Sequence, residues 1–130
     1  RHIIDVFWRN VMKFLWCTIN VKDIDASLRF YEKIVGLPVV RRFGETGAEL
    51  AFLGNGETML ELIQGKAAPA NGEGVSIGFS VDNLEDKILS VQANGIPVHS
   101  GPFAPSPRTR FFFVADPDGV LVQFVEQNRE

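Results

Sequence analysis

The chain is 130 residues long, 45% of them hydrophobic and 22% charged, which suits one compact domain with a sizeable core and excludes a disordered or fibrous chain. Thirteen basic residues against sixteen acidic ones give a formal charge of −3, with Arg41-Arg42 the only adjacent basic pair, so the clustered basic footprint that nucleic acid requires is missing. The single cysteine, Cys17, can make no internal disulfide, and no stretch approaches the roughly 20 apolar residues of a membrane span; the expectation is a cytoplasmic protein.

In chain order, residues 1–11 read as an N-terminal extension or dimer arm. Its apolar residues Ile3, Ile4, Val6, Phe7 and Trp8 are broken by Asp5 and Arg9, unlike a secretory signal. A regular pattern begins at Met12. "KFLWCTINV" has the β-branched and aromatic content of a strand, and "DASLRFYEKIVG" places Leu28, Tyr31, Ile34 and Val35 on one helical face. Asp25 is the expected N-cap, and Gly36 falls where a left-handed residue ends a helix. "GLPVV" then starts an extended segment, because Pro38 cannot continue the helix. "AELAFLGNGETMLELIQ" reads as two strands turning at Asn55-Gly56.

A small-residue linker over 65–73 separates this module, 12–64, from a second at 74–127, both within one domain spanning 12–130. "GVSIGFSV" is a strand, and "NLEDKILSVQANG" is a helix with the stripe Leu84, Ile88 and Val91, a cap at Asn83 with Asp86 three residues on, and a stop at Gly95. "GIPVH" repeats the Gly-x-Pro-Val run. "PFAPSPRTR", Pro102 to Arg110, reads as a proline-rich loop over a pocket mouth, where Arg108 and Arg110 meet ligand or water. "RFFFVADPDGVLVQFVE" is a terminal pair of strands turning at Asp118-Gly119. The order is βαβββ twice.

Strand alternation sorts the side chains by face. Leu15, Cys17, Ile19 and Val21 fall on a helix-facing side, leaving Phe14, Trp16, Thr18 and Asn20 opposite. In the last strand of the first module Met59, Glu61 and Ile63 point away from the helices, and in the second module Ser76, Gly78, Ser80, Leu121, Gln123 and Val125 do so. Gln123, a polar residue inside an apolar strand, is thereby the repeat partner of Glu61. At least one ring of the Phe111 to Phe113 run belongs in the cavity wall, with Phe112 the candidate. Cys17 reads as a buried apolar filler, and His2 and His99 as solvent-facing side chains.

"INVKDIDASLRFYEKIVGLPVV", "SVDNLEDKILSVQANGIPV" and "FFFVADPDGVLVQFVE" together resemble the vicinal oxygen chelate superfamily, which includes glyoxalase I, extradiol dioxygenases and the fosfomycin- and bleomycin-resistance proteins. The resemblance implies an α+β fold in which two βαβββ modules form an open, barrel-like mixed sheet around a cavity, helices on the convex face. It also implies a homodimer. The positions matching the metal ligands of its glyoxalase-like members are Trp16, Glu61, Ser76 and Gln123, of which Glu61 alone keeps a ligand's chemistry, since tryptophan, serine and neutral glutamine are poor donors for a divalent cation. No cofactor or metal is therefore expected.

The expected function is small-molecule binding of the bleomycin-resistance type, in a cavity lined by Phe14, Trp16, Thr18, Met59, Glu61, Ser76, Phe112 and Gln123. Trp16 and Glu61 suit a cationic or aromatic ligand. Two alternatives stand beside it: an enzyme of that superfamily, lyase-, isomerase- or dioxygenase-like, with Glu61 as general acid or base or as a residual metal ligand, and a packed interior in which Glu61 is satisfied by Gln123 and Ser76.

Overall fold

The computed structural model describes residues 14–45, 48–65, 67–69 and 71–128; the expected N-terminal extension over 1–11, with His2, lies outside them. The first module runs β1 (Trp16–Asn20), α1 (Ile24–Arg29), a π-helical continuation of α1 (Phe30–Val35), β2 (Val39–Glu45), β3 (Ala48–Leu53) and β4 (Met59–Gln64). The second runs β5 (Ser76–Ser80), α2 (Leu84–Ala93), β6 (Ser100–Ser106), β7 (Thr109–Ala115) and β8 (Leu121–Gln127). Each module folds its strands into one four-stranded sheet, ordered β1-β4-β3-β2 and β5-β8-β7-β6. In each, the first strand lies parallel to the last and the remaining pairs are antiparallel. The fold is thus α+β with two mixed sheets, and these share no ladder and close no barrel.

Two local expectations are corrected. The cap of α1 is Asp23, not Asp25: Asp23 has extended backbone and its carboxylate accepts the N–H groups of Asp25 and Ala26, while Asp25 sits inside the first turn. The segment read as a proline-rich loop is mostly strand, with Ser100–Ser106 forming β6 and Thr109 opening β7. Proline is tolerated there because β6 is an edge strand, where a missing N–H need cost no ladder bond, and its pairing with β7 is irregular.

The two modules repeat one another in side-chain chemistry that sequence patterns do not show. Gln64 at the end of β4 accepts the N–H of Ile24 at the start of α1, and Glu126 near the end of β8 accepts that of Leu84 at the start of α2. An arginine on each sheet reaches the acid in the same first turn: Arg42 to Asp25 at 2.9 Å, and Arg110 to Glu85 at 2.6 Å. Arg110 also binds Glu126, so it is held by its own module and does not wait for a ligand. Its guanidinium holds the Glu85 carboxyl well below the usual carboxylate range, at about 2.

One core serves both modules. Ile19, Leu53, Leu60 and Leu62 from the first sheet and Phe112, Val114, Val122 and Phe124 from the second are buried in a single cluster with the helix residues Ile24, Tyr31, Leu84 and Val91. The joint between modules is polar. The Tyr31 hydroxyl donates to Asp116 Oδ2 at 2.7 Å, while Asp116 Oδ1 accepts the N–H groups of Asp118 and Val120, and Asp118 accepts from Ser27 and from the Lys22 N–H. Lys87 of α2 adds a bond to the Ile34 carbonyl and sits 4.9 Å from the centre of the Phe124 ring.

Burial and the neighbouring Asp116 carboxylate push the Tyr31 hydroxyl far above its ordinary value of 10.0. In the unfolded chain it ionises near pH 10, so the stability it contributes is fully present below that pH and is lost as pH rises through and above it. Tyr31 is the only tyrosine, and tyrosinate absorbance therefore reports this group alone. It should appear only with unfolding, and the alkaline fall in melting temperature should be shallower in Tyr31→Phe than in the wild type.

Candidate functional site

A shared core on the helix side leaves the opposite face of each sheet bare. On the first sheet the ladder pairs Arg41 with Phe52, Phe52 with Glu61, and Glu61 with Thr18. These four side chains form one row across four strands: cation, ring, carboxylate and hydroxyl. Trp16 and Met59 are paired in the next row on one side, and Phe43, Leu50, Ile63 and Asn20 make the row on the other.

Glu61 is the centre of this face. Only 8% of it is exposed, and its Oε1 accepts the Thr18 hydroxyl at 2.6 Å. A nearly buried carboxylate needs such a donor. The donor is Thr18, and neither Gln123 nor Ser76 bonds to it. Trp16 is 46% exposed and meets Phe52 edge-on, with ring centres 5.6 Å apart. Phe14 is 71% exposed at the entrance to β1.

Arg41 and the rings beside it were not among the expected site residues. The pairing of β2 with β3 shifts between Val39, opposite Leu53, and Arg41, opposite Phe52. Val40 is the extra residue of this bulge, and a bulge re-aims the side chains that follow it. Without it, simple alternation would set Arg41 opposite Ala51 on the core side. With it, Arg41 joins the bare face, its guanidinium 5.9 Å from the Phe52 ring centre and 6.0 Å from that of Phe43, while Arg42 turns to the helix side.

The second sheet carries Ser76, Gly78 and Gln123 on its bare face. Gln123 is half-buried beside Gly78, its register partner, where an added Cβ would lie 3.1 Å from Gln123 Oε1. Gly78 thus gives the amide room to lie across β5, in the place where Thr18 binds Glu61 in the first module. Phe103, Phe111 and Phe113 form a ring cluster alongside, with centres 5.6 to 6.3 Å apart. Phe112 does not belong to it: it pairs with Phe124 and is fully buried in the core, so the cavity-wall reading passes to its two neighbours.

The structure therefore brings Trp16, Thr18, Met59 and Glu61 together on one sheet and Ser76 and Gln123 on the other. No hydrogen bond or ring contact among the described residues joins the two sets. A groove of about 460 Å³ between the modules is lined by Cys17, Val35, Leu37, Leu60, Ile77 and Phe79 and touches the expected set only at Met59. Cys17 is half-buried against the core, and His99 is exposed, its Nδ1 3.1 Å from the Ser100 hydroxyl.

The donor set does not fit the divalent metal of the glyoxalase-like enzymes. Of the four matching positions Glu61 alone offers a carboxylate, and one of its oxygens is already committed to Thr18; indole nitrogen is no ligand, and serine and a neutral amide are weak ones. Among the described residues no group of three or more His, Cys, Asp or Glu side chains is placed to hold a metal ion. No helix of the described residues is long and apolar enough to cross a membrane.

The family model of the Glyoxalase/Bleomycin resistance protein/Dioxygenase superfamily matches residues 13–124. The uncharacterized protein YwbC of Bacillus subtilis is 32% identical over 117 residues, covering 84% of this chain and 93% of its own. A lactoylglutathione lyase of Escherichia coli O157:H7 is 29% identical over 127 residues, covering 89% and 93%. Among solved structures, TnmS3, an antibiotic binding protein from a Streptomyces species, superposes with a TM-score of 0.76 at 18% identity, covering 92% of this chain and 98% of that one, a likeness of fold alone.

The Thr18 bond to Glu61 has a measurable consequence. Thr18→Val keeps the shape and removes the donor, leaving the carboxylate unsatisfied, and should lower unfolding free energy in urea by about 1 to 3 kcal/mol. Thr18→Ser restores the hydroxyl and should recover most of the loss.

Proposed function

The chain belongs to the Glyoxalase/Bleomycin resistance protein/Dioxygenase superfamily, and from that premise we propose that it is a small-molecule-binding protein whose ligand, aromatic and carrying an amine or another hydrogen-bond donor, lies on the bare face of the first sheet without a metal. The observation that carries this reading is Glu61, a nearly buried carboxylate with one oxygen held by Thr18, set beside the exposed Trp16 indole and the half-buried Phe52 ring. A cationic group over Trp16 gains about 0.5 to 2 kcal/mol, and a charge-assisted bond to Glu61 adds to it where water is excluded. A few polar groups among mostly apolar side chains is the usual make-up of such sites. Ser76 and Gln123 on the second sheet supply neutral hydrogen-bonding groups.

A second copy completes the site in this reading. Phe14, Trp16, Val40, Phe43, Val75 and Phe103 are large apolar side chains left exposed, and covering them in a homodimer removes them from water while enclosing the ligand. Light scattering at micromolar concentration should give twice the chain mass; a monomer mass would remove this part of the proposal.

A lyase is the second reading, favoured by the 29% identity to the E. coli enzyme. It would make Glu61 the general base or acid, with Gln123 orienting substrate. The two readings separate in one set of measurements. Thermal shift against a panel of aromatic amines, with and without added divalent metal, should show a rise that does not require metal. Trp16→Ala and Glu61→Gln should each weaken that binding by about tenfold, the equivalent of about 1.4 kcal/mol. A shift that appears only with metal, or turnover that vanishes in Glu61→Gln, would favour the lyase.

A further inference from the structure

We propose that Arg41 is the oxyanion-binding residue of this face, so that the ligand is amphoteric: a donor or cationic group at Glu61 and a carboxylate, sulfonate or phosphate group at Arg41. The inference rests on the reading of the bare face as the ligand site and adds the ligand's second charge to it.

The contrast between the two adjacent arginines carries the argument. Arg42 is satisfied, with Asp25 at 2.9 Å and Glu49 at 3.0 Å. Arg41 has no carboxylate within ion-pair distance among the described residues. Its guanidinium lies over two phenyl rings, 5.9 and 6.0 Å from their centres, and its N–H fork is left unused. The planar fork of a guanidinium is pre-organised, so less entropy is lost per hydrogen bond formed, and it matches the paired oxygens of a carboxylate or phosphate.

Register supplies the rest. Arg41 and Glu61 stand in one row, separated only by Phe52, so their backbones are two strand spacings, about 10 Å, apart. A ring resting on Phe52 would present its two ends to the two charges. The bulge at Val40 sets this up, since it places Arg41 on the bare face. A site with Glu61 alone would take any aromatic cation equally, whereas the full row favours those that also carry an acidic group.

The test uses a matched pair of fluorescent probes, 8-anilinonaphthalene-1-sulfonate and the uncharged N-phenyl-1-naphthylamine, which share a ring framework and differ by the sulfonate. Both are titrated into the wild type, Arg41→Gln, Arg41→Lys and Trp16→Ala, with melting temperature confirming the fold of each. Arg41→Gln should weaken the sulfonate by about tenfold, the size of one hydrogen bond to a charged group, and leave the neutral probe unchanged; Arg41→Lys should fall between. Equal weakening of both probes, or of neither, overturns the role of Arg41, as does a wild type that takes the neutral probe but not the sulfonate. If Arg41→Gln changes nothing while Trp16→Ala weakens both probes, the face remains the ligand site and only the oxyanion proposal falls. If no variant changes either probe, or the wild type binds neither, both fall.

Discussion

The buried bond from the Tyr31 hydroxyl to Asp116 is the constraint on which the arrangement depends. It fastens the helix of the first module to the last turn of the second, and the same turn accepts Ser27 and the Lys22 N–H through Asp118. Hydrogen bonds to a charged group contribute about 1.5 to 3 kcal/mol each, and an unpaired buried carboxylate would cost more than that. Burial pushes the Asp116 carboxyl above its ordinary value, and the bonds from Tyr31, Val120 and Asp118 pull against that shift; the three donors offset part of the cost of taking the charge out of water. Gly72 of the linker lies so close to this turn that any Cβ would fall 2.0 Å from the Gly119 carbonyl oxygen, so backbone packs directly on backbone.

With the helix sides of both sheets committed to one core, their other faces are left outside it. The division of labour is visible in neighbouring residues. Arg42 serves the fold and Arg41 the face; Phe112 serves the core and Phe111 and Phe113 the face. In each case one step along a strand turns a side chain through the sheet, from a place where it must be satisfied by the protein to one where it can be satisfied by something else.

The larger elements were legible because their signals are local. Two Gly-x-Pro-Val runs, the helix stripes, and the turns at Gly56 and Gly119 are each set by a few adjacent residues, and Gly36 and Gly95 do adopt the positive φ that a helix stop uses. The alternation that put Thr18 and Glu61 on one side of the sheet was legible for the same reason. Arg41 was not, because a bulge changes the count of residues between faces and nothing in "VVRRFG" marks where the extra residue falls. Phe112 was misplaced for want of a register: three identical rings in a row carry no phase until Phe124 is set opposite one of them. The partner of Glu61 depended on which strand lies beside β4, a non-local fact. The cap at Asp23 was missed since "DID" offers two aspartates and only backbone conformation chooses between them.

The paired ties, Gln64 with Arg42 and Glu126 with Arg110, fix each helix to its own sheet through contacts that avoid the bare face. Duplicated modules joined in this way are free to diverge. Substitutions at Arg41 or Phe52 leave untouched the contacts that seat each helix on its strands, and the bare faces of the two copies already differ, Thr18 and Glu61 in one standing where Gly78 and Gln123 stand in the other, while the frame remains alike. The architecture is in this sense evolvable: the residues that seat the helices and most of those on the bare faces can mutate on separate schedules, the Thr18–Glu61 pair being the exception that serves stability as well.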